Sequence, residues 1–266
     1  MKIVFLLYWS LLVVASNAQV IIEPYPDNSL YPEQYQSFGM PKSNELWNAA
    51  EYKRARKVIQ GFYDIDKWSL PRKNSQYSGS LFERMVSIDN LEIINNQSEP
   101  IQKRLEEHDE IINSINILLN LYHERSATEQ RFGAEVLTIL VFSAKSTNYS
   151  IDIIKELQAL MISRSQSNKN LDLVHDNMVL GIIKTIEERL KLIEVEYFNY
   201  NQIDIEYFST EISIWIPSVI EHINPHQLNS ILSQVNKIAA NHPYPNVQND
   251  FKALQKTLKK RSQQKD

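Results

Sequence analysis

The sequence predicts an all-α protein: an antiparallel bundle of about nine helices after a cleaved signal peptide and an extended arm. Two observations favour helices. Apolar residues recur at alternating steps of four and three along several long stretches, which is the spacing of one helical face. The 266 residues also contain only five glycines, and no run of alternating Val, Ile and Thr between turn residues indicates a strand.

The first 18 residues have the features of a secretory signal peptide. Lys2 provides a positive charge, and residues 3–15 form an apolar run that is too short to span a bilayer. Ser16-Asn17-Ala18 then places small residues at the positions that a signal peptidase reads. We therefore expect the mature protein to begin at Gln19, with an uncleaved membrane anchor as the alternative.

The chain contains no cysteine, which excludes disulfides and a lipoprotein anchor. Because secreted eukaryotic proteins usually contain disulfides, an exported chain without cysteine favours the bacterial periplasm or exterior. In that setting the two sequons, Asn96-Gln97-Ser98 and Asn148-Tyr149-Ser150, are expected to be chance matches. The net charge of -4 gives no electrostatic reason to expect nucleic acid as a partner.

Residues 19–43 are predicted to form an extended N-terminal arm. Prolines at this density oppose a helix and favour extended or polyproline conformations. Aromatic residues between them could contact a partner, and the alternative is that the arm packs on its own domain. The residues concerned are Pro24, Pro26, Pro32 and Pro41, with Tyr25, Tyr31, Tyr35 and Phe38.

Two helices are expected before the centre of the chain. The first should start at Ser43 or Asn44 and run to about Tyr63. The second should start at the capping box that Ser80 and Glu83 form, because this spacing satisfies two free backbone N–H groups at a helix start.

A helical hairpin from Glu99 to Lys145 is predicted to organise the other helices. A turn is expected from Arg125 to Glu129, where Ser126 to Glu129 would cap the second helix. That second helix is apolar on nearly every face, so we expect other helices to surround it. The first helix has one apolar stripe, formed by Ile101, Leu105, His108, Ile112, Ile115, Leu119 and Tyr122.

Five further helices are expected after the hairpin. Their apolar positions fall within 151–161, 171–199, 205–219, 225–239 and 247–258. Pro217 should kink or divide the third of these, because its ring clashes with the preceding turn. Residues 44–266 would thus form a single helical domain, or two closely packed lobes that divide near 163–170.

The sequence predicts no catalytic residue, no metal site and no cofactor, since it has no cysteine nucleophile, no Gly-x-Ser-x-Gly motif and no phosphate-binding glycine loop. His222 and His226 are four residues apart, but Pro225 between them indicates a helix start rather than a shared face. His108 is expected to be a hydrogen-bonded histidine in the bundle seam. Glu187 and Glu188 are expected on the solvated face of the long helix.

Basic and aromatic residues converge only between residues 52 and 82. Backbone N–H groups at a helix start with arginines nearby can bind an anion, and a tryptophan can supply a flat contact surface. A basic surface helix beside a structural tryptophan is the alternative interpretation. The candidate ligand-binding residues are Arg54, Arg56, Trp68, Arg72 and Ser80.

Two functions remain open from the sequence. The first is a non-catalytic partner-binding or structural protein of a bacterial cell envelope, which would use a helical face or the arm. The second is an anionic small-ligand binder, or an enzyme, with a site around residues 52–82. A ligand pocket should enclose the arginines. A partner-binding protein should expose an apolar patch.

Overall fold

A computed structural model describes residues 46–65, 70–75, 79–129, 132–163, 169–223 and 225–263. Within these ranges the chain is helical and contains no strand, which confirms the all-α prediction. Three short 3₁₀ segments are Ile88–Asn95, Tyr197–Asn199 and Ile220–His222. The same ranges contain eight α-helices: α1 (Ala49–Ile65), α2 (Gly79–Met85), α3 (Ile101–Glu129), α4 (Gly133–Ser163), α5 (Lys169–Val195), α6 (Gln202–Val219), α7 (Pro225–Asn241) and α8 (Pro245–Gln263). The predicted signal peptide and arm lie outside the described residues.

The helix count differs from the prediction because α4 is one continuous helix of 31 residues. The polar stretch after Lys145 was expected to separate two helices, yet the helix passes through it. The Oγ atom of Ser146 donates to the Ser143 carbonyl at 2.7 Å, and Oγ1 of Thr147 donates to the Ala144 carbonyl at 2.6 Å. These hydroxyls therefore bond to the helix rather than interrupting it.

The expected turn at Arg125 to Glu129 is also wrong, because α3 continues to Glu129. The start of α2 differs from the prediction by less. This helix begins at Gly79, so Ser80, the predicted N-cap, is its second residue. Pro217 lies near the end of α6, which stops two residues later and passes into the 3₁₀ segment Ile220–His222.

Helix α4 lies between α3 and α6. On one side, Ser150 and Glu156 of α4 bond to His108 and Arg104 of α3, so these two helices run in opposite directions. On the other side, Lys145 pairs with Glu211 of α6. Further along both helices, Ser218 of α6 donates to Asn148 and Glu221 pairs with Lys155, so α4 and α6 run in the same direction. The apolar residues Leu137, Leu140 and Val141 are all buried, as expected for a surrounded helix.

The start of α1 is fixed to the region around α2 by one buried amide. Asn90 accepts the backbone N–H of Trp47 at 2.9 Å, and its Nδ2 donates to the Tyr52 hydroxyl at 3.1 Å and to the Arg84 carbonyl at 2.6 Å. The Tyr52 hydroxyl in turn donates to the Met85 carbonyl at 2.8 Å. Burial raises the pKa of the Tyr52 phenol, so this hydroxyl keeps its proton.

The buried face of α3 is rotated from the predicted stripe. His108, Ile115 and Tyr122 are buried as expected, whereas Leu105, Ile112 and Leu119 are only partly buried. Among the side chains of this helix that the structure describes, the other buried ones are Arg104, Ile111, Ser114, Leu118 and Leu121. In the described part of the chain, no helix is both long enough and apolar enough to cross a membrane.

Candidate functional site

Arg54 and Arg56, two of the predicted ligand-binding residues, are each paired with a carboxylate. The Nη1 atom of Arg54 lies 2.7 Å from Oε1 of Glu51, one turn earlier on α1. The Nη1 atom of Arg56 lies 3.7 Å from Oε1 of Glu110 on α3. Lys53 also reaches Glu110, at 3.3 Å. The basic side of α1 is therefore largely matched by acidic partners.

Arg72 and Lys73 attach the segment 70–75 to the first turn of α4. The backbone N–H of Lys73 donates to Oε1 of Glu135 at 2.9 Å, and Nε of Arg72 lies 3.9 Å from the same oxygen. The Arg72 guanidinium also lies 5.1 Å from the centre of the Phe132 ring. Both residues thus contribute to a contact between segments.

Glu135 is buried at this contact. Burial raises the pKa of its carboxyl group and the nearby charge of Asp204 adds to the rise, while the Lys73 hydrogen bond and the Arg72 charge oppose it. The pKa of Asp204 is raised by burial as well, with the Lys73 charge in opposition. Two carboxyl groups with raised pKa values therefore face one arginine and one lysine near the start of α4.

The positions of the other two predicted ligand-binding residues, Trp68 and Ser80, cannot be compared with those of the arginines. Trp68 lies outside the described residues. Ser80 is the second residue of α2, and its side chain is also outside them. The five-residue anion site therefore stays a prediction.

A cleft with a volume of about 250 Å³ opens where the end of α5 meets the connection between α7 and α8. Nζ of Lys237 lies 3.7 Å from Oε1 of Glu194 within it, and none of the predicted arginines lines it. Its lining residues are Glu194, Tyr197, Lys237, Ile238, Asn241, His242 and Pro243.

His242 is the most unusual residue of this cleft. Its Nδ1 accepts the backbone N–H of Tyr244 at 3.2 Å, so the neutral ring has its proton on Nε2. Nε2 is buried, and no partner meets hydrogen-bond geometry with it. Burial lowers the pKa of His242, against the effect of the Ile193 and Tyr244 backbone. The ring packs against Tyr197, whose centroid lies 4.8 Å away.

Among the described residues, neither the contact at Glu135 nor the cleft contains a recognisable catalytic set. The described residues that line the cleft place a neutral histidine beside an ion pair and include no nucleophile with a base in reach. Among the described residues, no three His, Asp or Glu side chains are grouped so that they could hold a metal ion. Nε2 of His222 lies 3.2 Å from Oε1 of its neighbour Glu221, and the His226 side chain is outside the described residues.

Two other predictions about single residues have different outcomes. His108 is buried, and its Nε2 lies 2.7 Å from Oγ of Ser150, which confirms a hydrogen-bonded histidine in a helix seam. Glu188 is exposed as expected, but Glu187 is partly buried and accepts a hydrogen bond from Ser230 of α7 at 2.9 Å. Glu187 therefore links α5 to α7 rather than facing solvent alone.

The outer side of α6 exposes large apolar side chains. Ile203 is 75% exposed, Tyr207 is 40% exposed and Ile214 is 65% exposed. Their steps of four and seven residues place them within about 40° of one another around the helix. We call these three residues the α6 stripe. Phe198, which is 58% exposed, lies in the 3₁₀ segment before α6.

The α6 stripe meets the basic segment at one edge, where Nζ of Lys73 lies 4.6 Å from the centre of the Tyr207 ring. The opposite side of α6 faces the core, so the helix is apolar on both sides. Its buried residues include Ile205, Phe208, Ile212, Trp215, Ile216 and Val219. The sequence contained this signal, because Ile203 and Ile214 are apolar residues outside the predicted buried face.

Compared with known proteins, the chain matches no family model, no curated protein and no solved structure.

Proposed function

We propose that this chain is an exported, non-catalytic protein of a bacterial cell envelope that binds another protein through the α6 stripe. Export is supported by the signal-peptide features of residues 1–18, and a bacterial source by the absence of cysteine. In this proposal the mature chain begins at Gln19, and the arm 19–43 precedes the helical bundle.

The observation that carries the proposal is the exposure of Ile203, Tyr207 and Ile214 on one side of one helix. Single exposed apolar residues are common, but aligned ones are typical of an interaction surface. From residue 203 to residue 214 the stripe extends about 17 Å, or three helical turns. A partner that presents an apolar helix of similar length matches this surface best.

The alternative function, an anionic-ligand site around residues 52–82, has less support. Arg54, Arg56 and Arg72 each have a carboxylate within ion-pair distance. A bound anion would have to compete with those carboxylates for the same cations. The cleft near His242 cannot serve as this anion site either, because none of the three arginines lines it.

Capture from the native envelope tests the proposal. The mature protein, immobilised through its C-terminus, should retain a specific protein from detergent-solubilised envelope. The double variant Ile203→Ser and Ile214→Ser should lose at least tenfold in affinity for it, since buried apolar anchors dominate such interfaces. Both side chains are mostly exposed, so the fold should be unaffected.

The matched control is Leu180→Ser with Val195→Ser, which removes two aliphatic side chains that are 55% and 51% exposed elsewhere. This control should retain the captured protein. Equal loss in both double variants would contradict the α6 stripe as the binding surface. Capture of a second copy of the chain would instead identify the stripe as a self-association surface.

A further inference from the structure

The hairpin of α7 and α8 has a charge opposite to that of the rest of the chain. Residues 225–263 contain six basic residues and one acidic residue, a net charge of +5. The remaining residues contain 22 basic and 31 acidic residues, a net charge of -9. The overall net charge of -4 is therefore the sum of a basic hairpin and an acidic remainder.

Four lysines of α8 form a ridge on its outer side. Lys252, Lys256, Lys259 and Lys260 are all exposed, and their spacing places them within about 100° of arc. The opposite side of the helix is buried in the protein through Val247, Phe251, Leu254 and Leu258. We call the four lysines the lysine ridge.

The charges of Lys252, Lys256 and Lys260 in this ridge are not matched by a carboxylate within ion-pair distance among the described residues. In the described part of the chain, Lys252, Lys256 and Lys260 form no ion pair, and Nζ of Lys252 bonds only to Gln248, at 3.2 Å. Asp250, the acidic residue of the hairpin, accepts a hydrogen bond from Thr210 at 2.7 Å. By contrast, Lys103 on α3 pairs with Glu99 at 2.9 Å.

We propose that the lysine ridge is a docking surface for an anionic lipid bilayer. Basic residues held near an anionic leaflet are attracted to it, and the ridge is straight over about 12 Å of helix, so its lysines can approach a flat surface together. Because the apolar side of α8 is already buried, the attachment is electrostatic and involves no insertion of the helix. The acidic remainder of the molecule is repelled by the same leaflet, which orients the protein with α8 towards the lipid.

A second copy of the chain fits the ridge less well. Acidic residues of the remainder are spread over several helices, and Glu110, Glu135 and Glu211 already pair with cations. Nucleic acid is also a weaker fit, because an extended polyanion would meet the acidic part of the chain as well.

Co-sedimentation with lipid vesicles tests the proposal. The mature protein should sediment with phosphatidylcholine vesicles that contain phosphatidylglycerol, and it should remain in solution with pure phosphatidylcholine. Added salt should release it, since screening weakens attraction between exposed charges. The double variant Lys252→Glu and Lys256→Glu should bind at least about 30-fold more weakly, because each basic residue near an anionic leaflet contributes about fivefold.

The matched control is Lys57→Glu with Lys103→Glu, which changes the net charge equally at exposed positions of α1 and α3. It should change binding less than threefold, and circular dichroism should show both variants folded. Equal loss in the two variants would overturn the ridge as the docking surface, as would unaltered binding of the ridge variant. Tighter binding to a DNA oligonucleotide than to the vesicles would overturn the lipid assignment. The ridge is separate from the α6 stripe, so either proposal can fail alone.

Discussion

Glu135 and Lys73 join two distant parts of the chain through one hydrogen bond, in which the Lys73 backbone N–H donates to the buried Glu135 carboxylate at 2.9 Å. The contact fixes the segment 70–75 against the first turn of α4. In the same segment, the Tyr122 hydroxyl of α3 donates to the Pro71 carbonyl at 2.6 Å. A short connection is thus held by two side chains from the central helices.

Glu135→Gln should change how stability depends on pH. Because burial raises the pKa of Glu135 above its ordinary value of 4.5, the folded protein holds this proton more tightly than the unfolded chain does. The stabilising effect of protonation is full below pH 4.5 and is lost as the pH rises through the folded-state pKa. Glutamine keeps an acceptor for the Lys73 N–H and has no charge to bury. The variant should therefore gain free energy of unfolding relative to the native protein as the pH rises from 4 to 8.

Urea unfolding at several pH values measures this difference. Glu83→Gln, which alters an exposed glutamate of α2, is the matched control and should show no such trend. A relative gain for Glu135→Gln that grows as the pH falls would show that the attraction to Arg72 outweighs burial.

Leu137→Ala and Leu140→Ala should each destabilise the protein by about 2–5 kcal/mol, because each leaves a cavity beside a buried helix. Typical domains have only about 5–15 kcal/mol of stability, so the urea midpoint should fall markedly. Asn120→Ala, at an exposed position of α3, should change stability by less than about 0.5 kcal/mol. Glu187 is unsuitable as the harmless control because its carboxylate accepts the Ser230 hydroxyl. If the leucine variants matched Asn120→Ala, α4 would not be the centre of packing.

The exported protein should begin at Gln19, because Ser16-Asn17-Ala18 fits a signal peptidase site. Intact-mass measurement of protein recovered outside the cytoplasm checks this directly. Ala18→Lys removes the small residue at the cleavage site and should leave the precursor uncut. A mature mass that still includes residues 1–18 would support the alternative of an uncleaved anchor.

Deletion of residues 19–43 should leave the folding unit intact, since four prolines and no apolar period give the arm little helix of its own. Helical circular dichroism per residue and cooperative thermal unfolding should be almost unchanged. Loss of the cooperative transition would show that the arm is part of the core, and would count against its role in partner binding.

The sequence predicted which segments are helical, because helix formation depends on local spacing of apolar residues. Which face of a helix is buried depended also on partners that are distant in the sequence. The spacing of Ile205, Phe208 and Ile212 correctly located the buried side of α6. On α3, however, Arg104 is buried because its Nη1 reaches Glu156 of α4 at 2.7 Å, a partner that no local pattern reveals. That ion pair accompanies the rotation of α3 away from the predicted stripe. Helix ends were predicted least well, since the hydroxyls of Ser146 and Thr147 have bonding options both inside and outside a helix.

The candidate sites also combine features that the sequence shows with features that only the folded chain shows. The arginines were visible in the sequence, but their carboxylate partners were not, because Arg56 meets Glu110 and Arg72 meets Glu135 only in the folded chain. The α6 stripe could have been predicted from the sequence, because Ile203 and Ile214 are apolar and lie outside the helical face that was expected to be buried.

The continuity of α4 also determines how the molecule can open. Residues 145–156 of this helix bond to α3 on one side and to α6 on the other. If α3 moved away from α6, this stretch of α4 would therefore lose its contacts with one of the two helices. Amide hydrogens at the centre of α4 should exchange with solvent only when the whole protein unfolds, at the slowest rate in the molecule, while those near the end of α8 exchange through local fraying.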